Sequence, residues 1–175
     1  TYLTGLYLER AYGYMPYYNY MTGQLNSAKT AVGTLYVQDT ANVGNLFAGS
    51  RVYAKGASVL HMLRHVLGDS VFFEAMYAYA NDPGLKFGTA TTADFRQVCE
   101  TMSGTDLGYF FDEWVDGEKF PTYRYGWTAV PTMIGYRVDL RVVQTTGTTN
   151  PAAFTMPVDV RILGTGWDTT IVVVD

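Results

Sequence analysis

An α+β fold is the class this 175-residue sequence predicts, with helices in residues 1–120 and an incomplete antiparallel β-sandwich in residues 121–175. Three observations point to it. Apolar residues recur at helical spacings through the first two thirds of the chain. After Pro121 the spacing changes from the helical period to strict alternation. Clusters of Gly, Asn, Asp and Pro punctuate the segments between.

The first segment, 1–28, carries Leu3, Leu6, Tyr7, Tyr14, Tyr17 and Tyr18 at helical spacings, and Pro16 is expected to kink or break it. Residues 30–49 are rich in Gly, Asn, Thr and Asp and read as a long irregular connection, a feature often tied to function. A helix is expected from about Arg51. There Val52, Gly56, Val59, Leu60, Leu63, Val66 and Leu67 form one stripe, and Gly68 stops it. Gly56 on that stripe is expected to let another backbone approach. "DSVFFEAMYAYA" reads as the next helix, with Asp69 or Ser70 as N-cap, and "NDPG" as a turn. Thr91 or Thr92 should cap the helix in "TTADFRQVCETMSG", with Asp94 in its first turn and Gly104 as its end. A last short helix places Leu107, Phe110, Phe111 and Trp114 on one face.

Four strand-like runs follow. Tyr123, Tyr125 and Trp127 alternate in the first, and Tyr136, Val138, Leu140 and Val142 in the second. Phe154, Met156, Val158, Val160 and Ile162 alternate in the third, and "TTIVVV" is the fourth. The pattern is that of half-buried antiparallel strands. Four strands fall short of the roughly seven of an immunoglobulin-like sandwich, so the sandwich is expected to be partial and the C-terminus truncated.

Composition excludes several classes. Hydrophobic residues make up 48% of the chain, too many for a disordered segment. A net charge of −4 argues against a nucleic-acid binder. No apolar run approaches the roughly 20 residues of a transmembrane helix. The single cysteine, Cys99, allows no internal disulfide and reads as a buried helical thiol. No signal peptide opens the chain, and Thr1 falls inside a helical pattern, which suggests a piece of a larger protein. The compartment stays open, with an extracytoplasmic or cell-surface setting favoured over the cytoplasm.

The only histidines, His61 and His65, stand four apart on one helix face, as two zinc ligands would. Position 62 is Met62, where the H-E-x-x-H motif has its general base. No third histidine exists, and Arg64 lies between the pair. No metal site is expected here, and the pair is assigned to a solvated or second-layer face opposite the Val59–Leu63–Val66 stripe. Tyr53 has a different chemistry. A tyrosine hydroxyl near a helix N-terminus can donate to an oxyanion, with the peptide dipoles adding to the effect. In a chain with 15 tyrosines this alone is a weak signal.

The order of motifs sharpens it. Tyr53 to Ala57 form Tyr-x-Lys-Gly-Ala. Leu67 to Asp69 form a Leu-Gly-Asp turn. Ala90 to Phe95, Ser103 to Leu107, Phe110 to Trp114 and Phe120-Pro121 follow in sequence. This series resembles the gluzincin zinc aminopeptidase family, the aminopeptidase N-like enzymes, most strongly from Val52 to Pro121. The exit differs: Phe120 stands before Pro121, and Gly117 lies further upstream than in the family pattern.

The resemblance implies that residues 1–120 are the helical C-terminal half of a peptidase catalytic domain and residues 121–175 part of the following sandwich. It implies zinc and peptide substrates in the full-length protein. The zinc ligands, the general base and the segment that holds the substrate amino group would lie in a missing N-terminal part, so the isolated chain is expected to be inactive and metal-free. Of the family's catalytic residues only Tyr53 maps onto this chain, as the donor that stabilises the tetrahedral oxyanion. The alternative is a non-catalytic peptide-binding or assembly module, with Tyr53 structural and the tyrosine-rich "YGYMPYYNYM" an adhesive patch. Helix packing at the rim of a peptidase cleft is the preferred reading of that patch.

Overall fold

The computed structural model describes residues 1–173. Seven α-helices precede four strands: α1 Tyr2–Tyr12, α2 Tyr14–Ala28, α3 Val43–Leu46, α4 Gly56–Leu67, α5 Asp69–Asn81, α6 Thr92–Ser103, α7 Gly108–Trp114, then β1 Pro121–Thr132, β2 Gly135–Thr146, β3 Val158–Gly164 and β4 Trp167–Val173. A π-helical segment, Gly49–Lys55, leads directly into α4. The expected α+β class is therefore observed.

The break in the N-terminal helical run falls at Gly13, not Pro16. Gly13 has φ 88°, a conformation that a Cβ would strain, and its N–H still closes the last turn of α1 on the Glu9 carbonyl. Pro16 sits in the first turn of α2, where a backbone N–H has no intrahelical acceptor, so the ring costs no hydrogen bond. α1 packs on α2 where Gly5 meets Tyr17 and Met21; a Cβ on Gly5 would lie 3.3 Å from each of these side chains.

Two further cap expectations resolve differently. α6 begins with the expected capping box: the Thr91 hydroxyl accepts from Asp94 N–H and the Asp94 carboxylate accepts from Thr91 N–H. It ends on Gly104 in the left-handed conformation. α5, by contrast, is preceded by Gly68 as N-cap without a side-chain cap. Asp69 already lies inside the helix, with its carboxylate held by Arg64 at 2.8 Å.

The core gathers around α4, α5, α6 and α7. Phe72, Phe110, Leu63, Leu107 and Cys99 are fully buried, and Phe111 and Trp114 are nearly so. Each such large side chain contributes roughly 1.5–3 kcal/mol by leaving water. The face expected of α7 is thus the observed one. Phe154 extends this core from beyond β2: its ring lies 4.4 Å from Trp114. The Glu113 carboxylate accepts both the N–H and the hydroxyl of Thr155, and Gln144 exchanges two hydrogen bonds with the Phe154 backbone. These bonds fasten the strand region to α7.

β1 pairs antiparallel with β2, from Pro121 opposite Thr146 to Thr132 opposite Gly135. β3 pairs with β4 in the same sense. The two hairpins form separate two-stranded sheets, consistent with an incomplete sandwich. β3 shows the expected alternation, with Val158, Val160 and Ile162 more covered than their neighbours. β1 does not: most of it is exposed, including Tyr125 and Trp127. An alternating strand buries a face only where a second layer lies against it, and in β1 only Pro121 and Tyr123 are partly covered. The third strand also starts late, at Val158, because Phe154 and Thr155 are engaged with α7.

Candidate functional site

Tyr53 lies in the π-helical segment, one residue before buried Ala54 and two before buried Lys55. Its own side chain is 43% exposed, and its hydroxyl makes no hydrogen bond among the described residues. The wider i→i+5 winding replaces the ordinary α-helical start expected at this position. Such single π turns recur at functional sites. Gly56 follows, and the nearest atom to a Cβ there would be a Leu35 methyl at 3.9 Å. Among the described residues no backbone approaches Gly56 closely, contrary to expectation; the neighbouring segment meets it through a side chain instead.

Lys55 was not singled out from the sequence, yet it is the most unusual group near Tyr53. It is only 7% exposed. Its ammonium donates to the Gly117 carbonyl at 2.7 Å and to the Gly33 carbonyl at 3.4 Å. No carboxylate forms an ion pair with it among the described residues. Burial pushes this ammonium down to about 8, with Arg51 acting in the same direction and Glu118 and Asp116 against it. A sequence signal did exist. On a helix its neighbours three and four positions away are Arg51, Val52, Ser58 and Val59, none acidic, whereas an exposed helical lysine is commonly paired there.

Several segments converge at this end of the helix. Leu35 N–H donates to the Val115 carbonyl at 2.9 Å, and Glu118 N–H donates to the Asn150 carbonyl at 2.8 Å. Gly117 has no room for a side chain: a Cβ would lie 1.9 Å from the Glu113 carbonyl oxygen and 2.7 Å from Pro151 Cδ. At the other end of the π segment, Arg51 Nη2 donates to the Asn45 carbonyl at 2.9 Å. The irregular connection after α2 thus serves to supply acceptors to both ends of the segment that carries Tyr53.

The two histidines part company. His65 is on the exposed face, 3.8 Å from Asp159. His61 is half-buried, because α2 covers this side of α4: its Nδ1 lies 2.7 Å from the Tyr17 hydroxyl. Burial, then the charges of Arg64 and His65, hold the His61 imidazolium below its ordinary range, with Glu9 opposing. Arg64 donates to Glu9 at 2.6 Å and to Asp69 at 2.8 Å, completing a polar seam between α1 and α4. With Nδ1 taken by Tyr17 and a cation alongside, this pair does not fit a zinc site. Among the described residues no three His, Cys, Asp or Glu side chains converge on one point.

Two other features lie apart from Tyr53. Cys99 is fully buried, and burial pushes its thiol up to about 11, which leaves it an inert core residue. An open apolar cavity of about 670 Å³ lies among Leu35, Val59, Leu63, Met76, Phe95 and Phe111; Tyr53 does not line it. No helix among the described residues is long and apolar enough to cross a membrane.

Comparison with known proteins gives a consistent picture over part of the chain. The Peptidase family M1 domain matches residues 14–114. An aminopeptidase N of Lactobacillus delbrueckii subsp. lactis is 33% identical over 85 residues, 49% of this chain and 10% of that protein. An aminopeptidase N of Lactococcus lactis subsp. lactis is 32% identical over 79 residues, 45% of this chain and 9% of that protein. A probable aminopeptidase 2 of Sulfurisphaera tokodaii is 33% identical over 69 residues, 39% of this chain and 9% of that protein. The chain thus spans about a tenth of the length of these relatives, and the family match covers α2 to α7 and none of the strands.

Proposed function

Since this chain belongs to peptidase family M1, we propose that it is the helical part of the catalytic domain of a zinc aminopeptidase, residues 1–120, followed by part of a β-sandwich domain, residues 121–175. The full-length enzyme removes N-terminal residues from peptides. Tyr53 donates its hydroxyl proton in a hydrogen bond to the oxyanion that forms as the scissile carbonyl becomes tetrahedral. The observation that carries this role is its placement: an exposed, unengaged hydroxyl on a π-wound turn whose next two residues are buried.

Zinc, which the family implies, does not fit the side chains of this chain, since His61 is engaged by Tyr17 and no ligand cluster exists among the described residues. Its ligands and the general base belong to other parts of the enzyme, so the 175-residue chain alone should neither hold zinc stoichiometrically nor turn over peptides. A second reading, a non-catalytic peptide-binding or assembly module, draws on the exposed Tyr7, Tyr12, Tyr14 and Tyr18 of α1 and α2.

A Tyr53→Phe change in the full-length protein separates the two. The ring is kept, so packing hardly changes, while loss of an oxyanion donor lowers kcat on the order of 10²–10³-fold. KM should move much less than kcat. Retention of more than about half of the wild-type kcat would sink the catalytic role, given the size of such effects.

A further inference from the structure

The segment Gly49–Lys55 has a design problem. Its i→i+5 winding is a rare, isolated departure from the α-helix, yet an oxyanion donor must stand within about half an ångström of its target. Something outside the segment has to hold it. At its beginning Arg51 reaches the Asn45 carbonyl, and at its end Lys55 reaches the Gly117 and Gly33 carbonyls. Tyr53 stands midway between these two tethers.

The Lys55 tether is the costly one. A buried ammonium with no ion-paired carboxylate among the described residues gives up much of its hydration, and an apolar residue of similar length would fill the same space without that loss. Its acceptors are also fixed from outside. Gly117 has no room for a side chain beside Glu113 and Pro151, and Glu118 N–H is bonded to Asn150. The Leu35–Val115 hydrogen bond joins the connection that bears Gly33 to the turn that bears Gly117. The two carbonyls therefore form a hydrogen-bonded socket built by the irregular connection and the exit of α7.

We infer that Lys55 is a positioning residue for Tyr53: its ammonium plugs the end of the π-wound segment into the Gly33–Gly117 carbonyl socket and so fixes where the tyrosine hydroxyl stands. This rests on the catalytic role proposed for Tyr53. It also gives the region after α7 a share in the reaction, since the socket is made where the chain leaves the helices for the strands.

The test is a double-mutant cycle in the full-length enzyme, assayed on an amino-acid p-nitroanilide: wild type, Tyr53→Phe, Lys55→Met and both changes together. Lys55→Met should lower kcat about 10–100-fold, the scale of a misplaced catalytic group, with KM changed less than about threefold. In the Tyr53→Phe background the same change should lower kcat less than about twofold, because the hydroxyl it positions is already gone. Lys55→Arg, which retains a cationic donor, should restore part of the loss, and it takes the place of Lys55→Met in the cycle if the latter does not fold. Equal losses in both backgrounds would overturn the inference, as general damage does not depend on Tyr53. So would wild-type turnover in Lys55→Met alongside a crippled Tyr53→Phe, and that outcome would leave the role of Tyr53 standing. Full activity in Tyr53→Phe would remove the role of Tyr53 and the positioning role with it.

Discussion

The Tyr17 hydroxyl on α2 and Nδ1 of His61 on α4 share a hydrogen bond of 2.7 Å. Since His61 in the fold is harder to protonate than in the unfolded chain, the unfolded state binds the extra proton first on acidification. Stability contributed by the neutral ring is present above the ordinary histidine range and is lost as the pH falls through the lowered value. Urea unfolding of wild type and His61→Asn at pH 7.5 and 5.5 should show wild type losing more on acidification. Parallel losses would assign the acid sensitivity to other groups.

Lys55 has a dependence of the same sign at higher pH. Its folded value of about 8 lies below its ordinary 10.5, so between those values the unfolded chain retains a proton that the fold releases. Stability therefore rises with pH across that window, by on the order of 3 kcal/mol at most. Lys55→Met removes this titration. The stability difference between wild type and variant should shift in favour of wild type from pH 8 to 10, measured by denaturant midpoint.

Gly117→Ala places a methyl where the Glu113 carbonyl oxygen stands, so the backbone of the turn must move. Overpacking of this kind costs roughly 1–3 kcal/mol or more. In a chain of this size that corresponds to a fall in Tm of about 3–10 °C, readable by calorimetry. An unchanged Tm would show that the turn has slack and that the Lys55 socket is softer than its geometry implies.

Cys99 should resist thiol reagents in the native state, being fully buried with its thiol raised to about 11. At pH 8 the thiolate is about one part in a thousand, and access requires opening of the core. Labelling should accelerate sharply at the urea midpoint. Rapid labelling in buffer alone would contradict the packing of α6 against α7.

Much of the fold is readable from local chemistry because several signals coincide. α6 is marked at both ends, by the Thr91–Asp94 box and by Gly104, and a short buried helix is marked by Leu107, Phe110, Phe111 and Trp114. Pro16 misleads because a proline in the first turn of a helix and one in its middle look alike in sequence, while Gly13 alone supplies the positive φ. The π winding at Gly49–Lys55 has no periodic trace, since one wide turn is too short to set a period. The proposal for Tyr53 draws on the order of motifs around it, not on its own chemistry. Lys55 is missed because its acceptors, Gly33 and Gly117, are 22 and 62 positions away and are backbone carbonyls, which carry no residue-type signal.

The two hairpins have a consequence for handling the chain by itself. In a two-stranded sheet both strands are outer strands, each with a row of N–H and C=O groups that no neighbour uses. Tyr125, Trp127, Tyr136, Leu163 and Val172 are exposed beside those rows. Such ribbons are templates for intermolecular pairing, so the 175-residue chain should self-associate with rising concentration through its strands. Lysine substitutions at the exposed positions of β1 should suppress that association while leaving the helical core, and the environment of Tyr53, as they are.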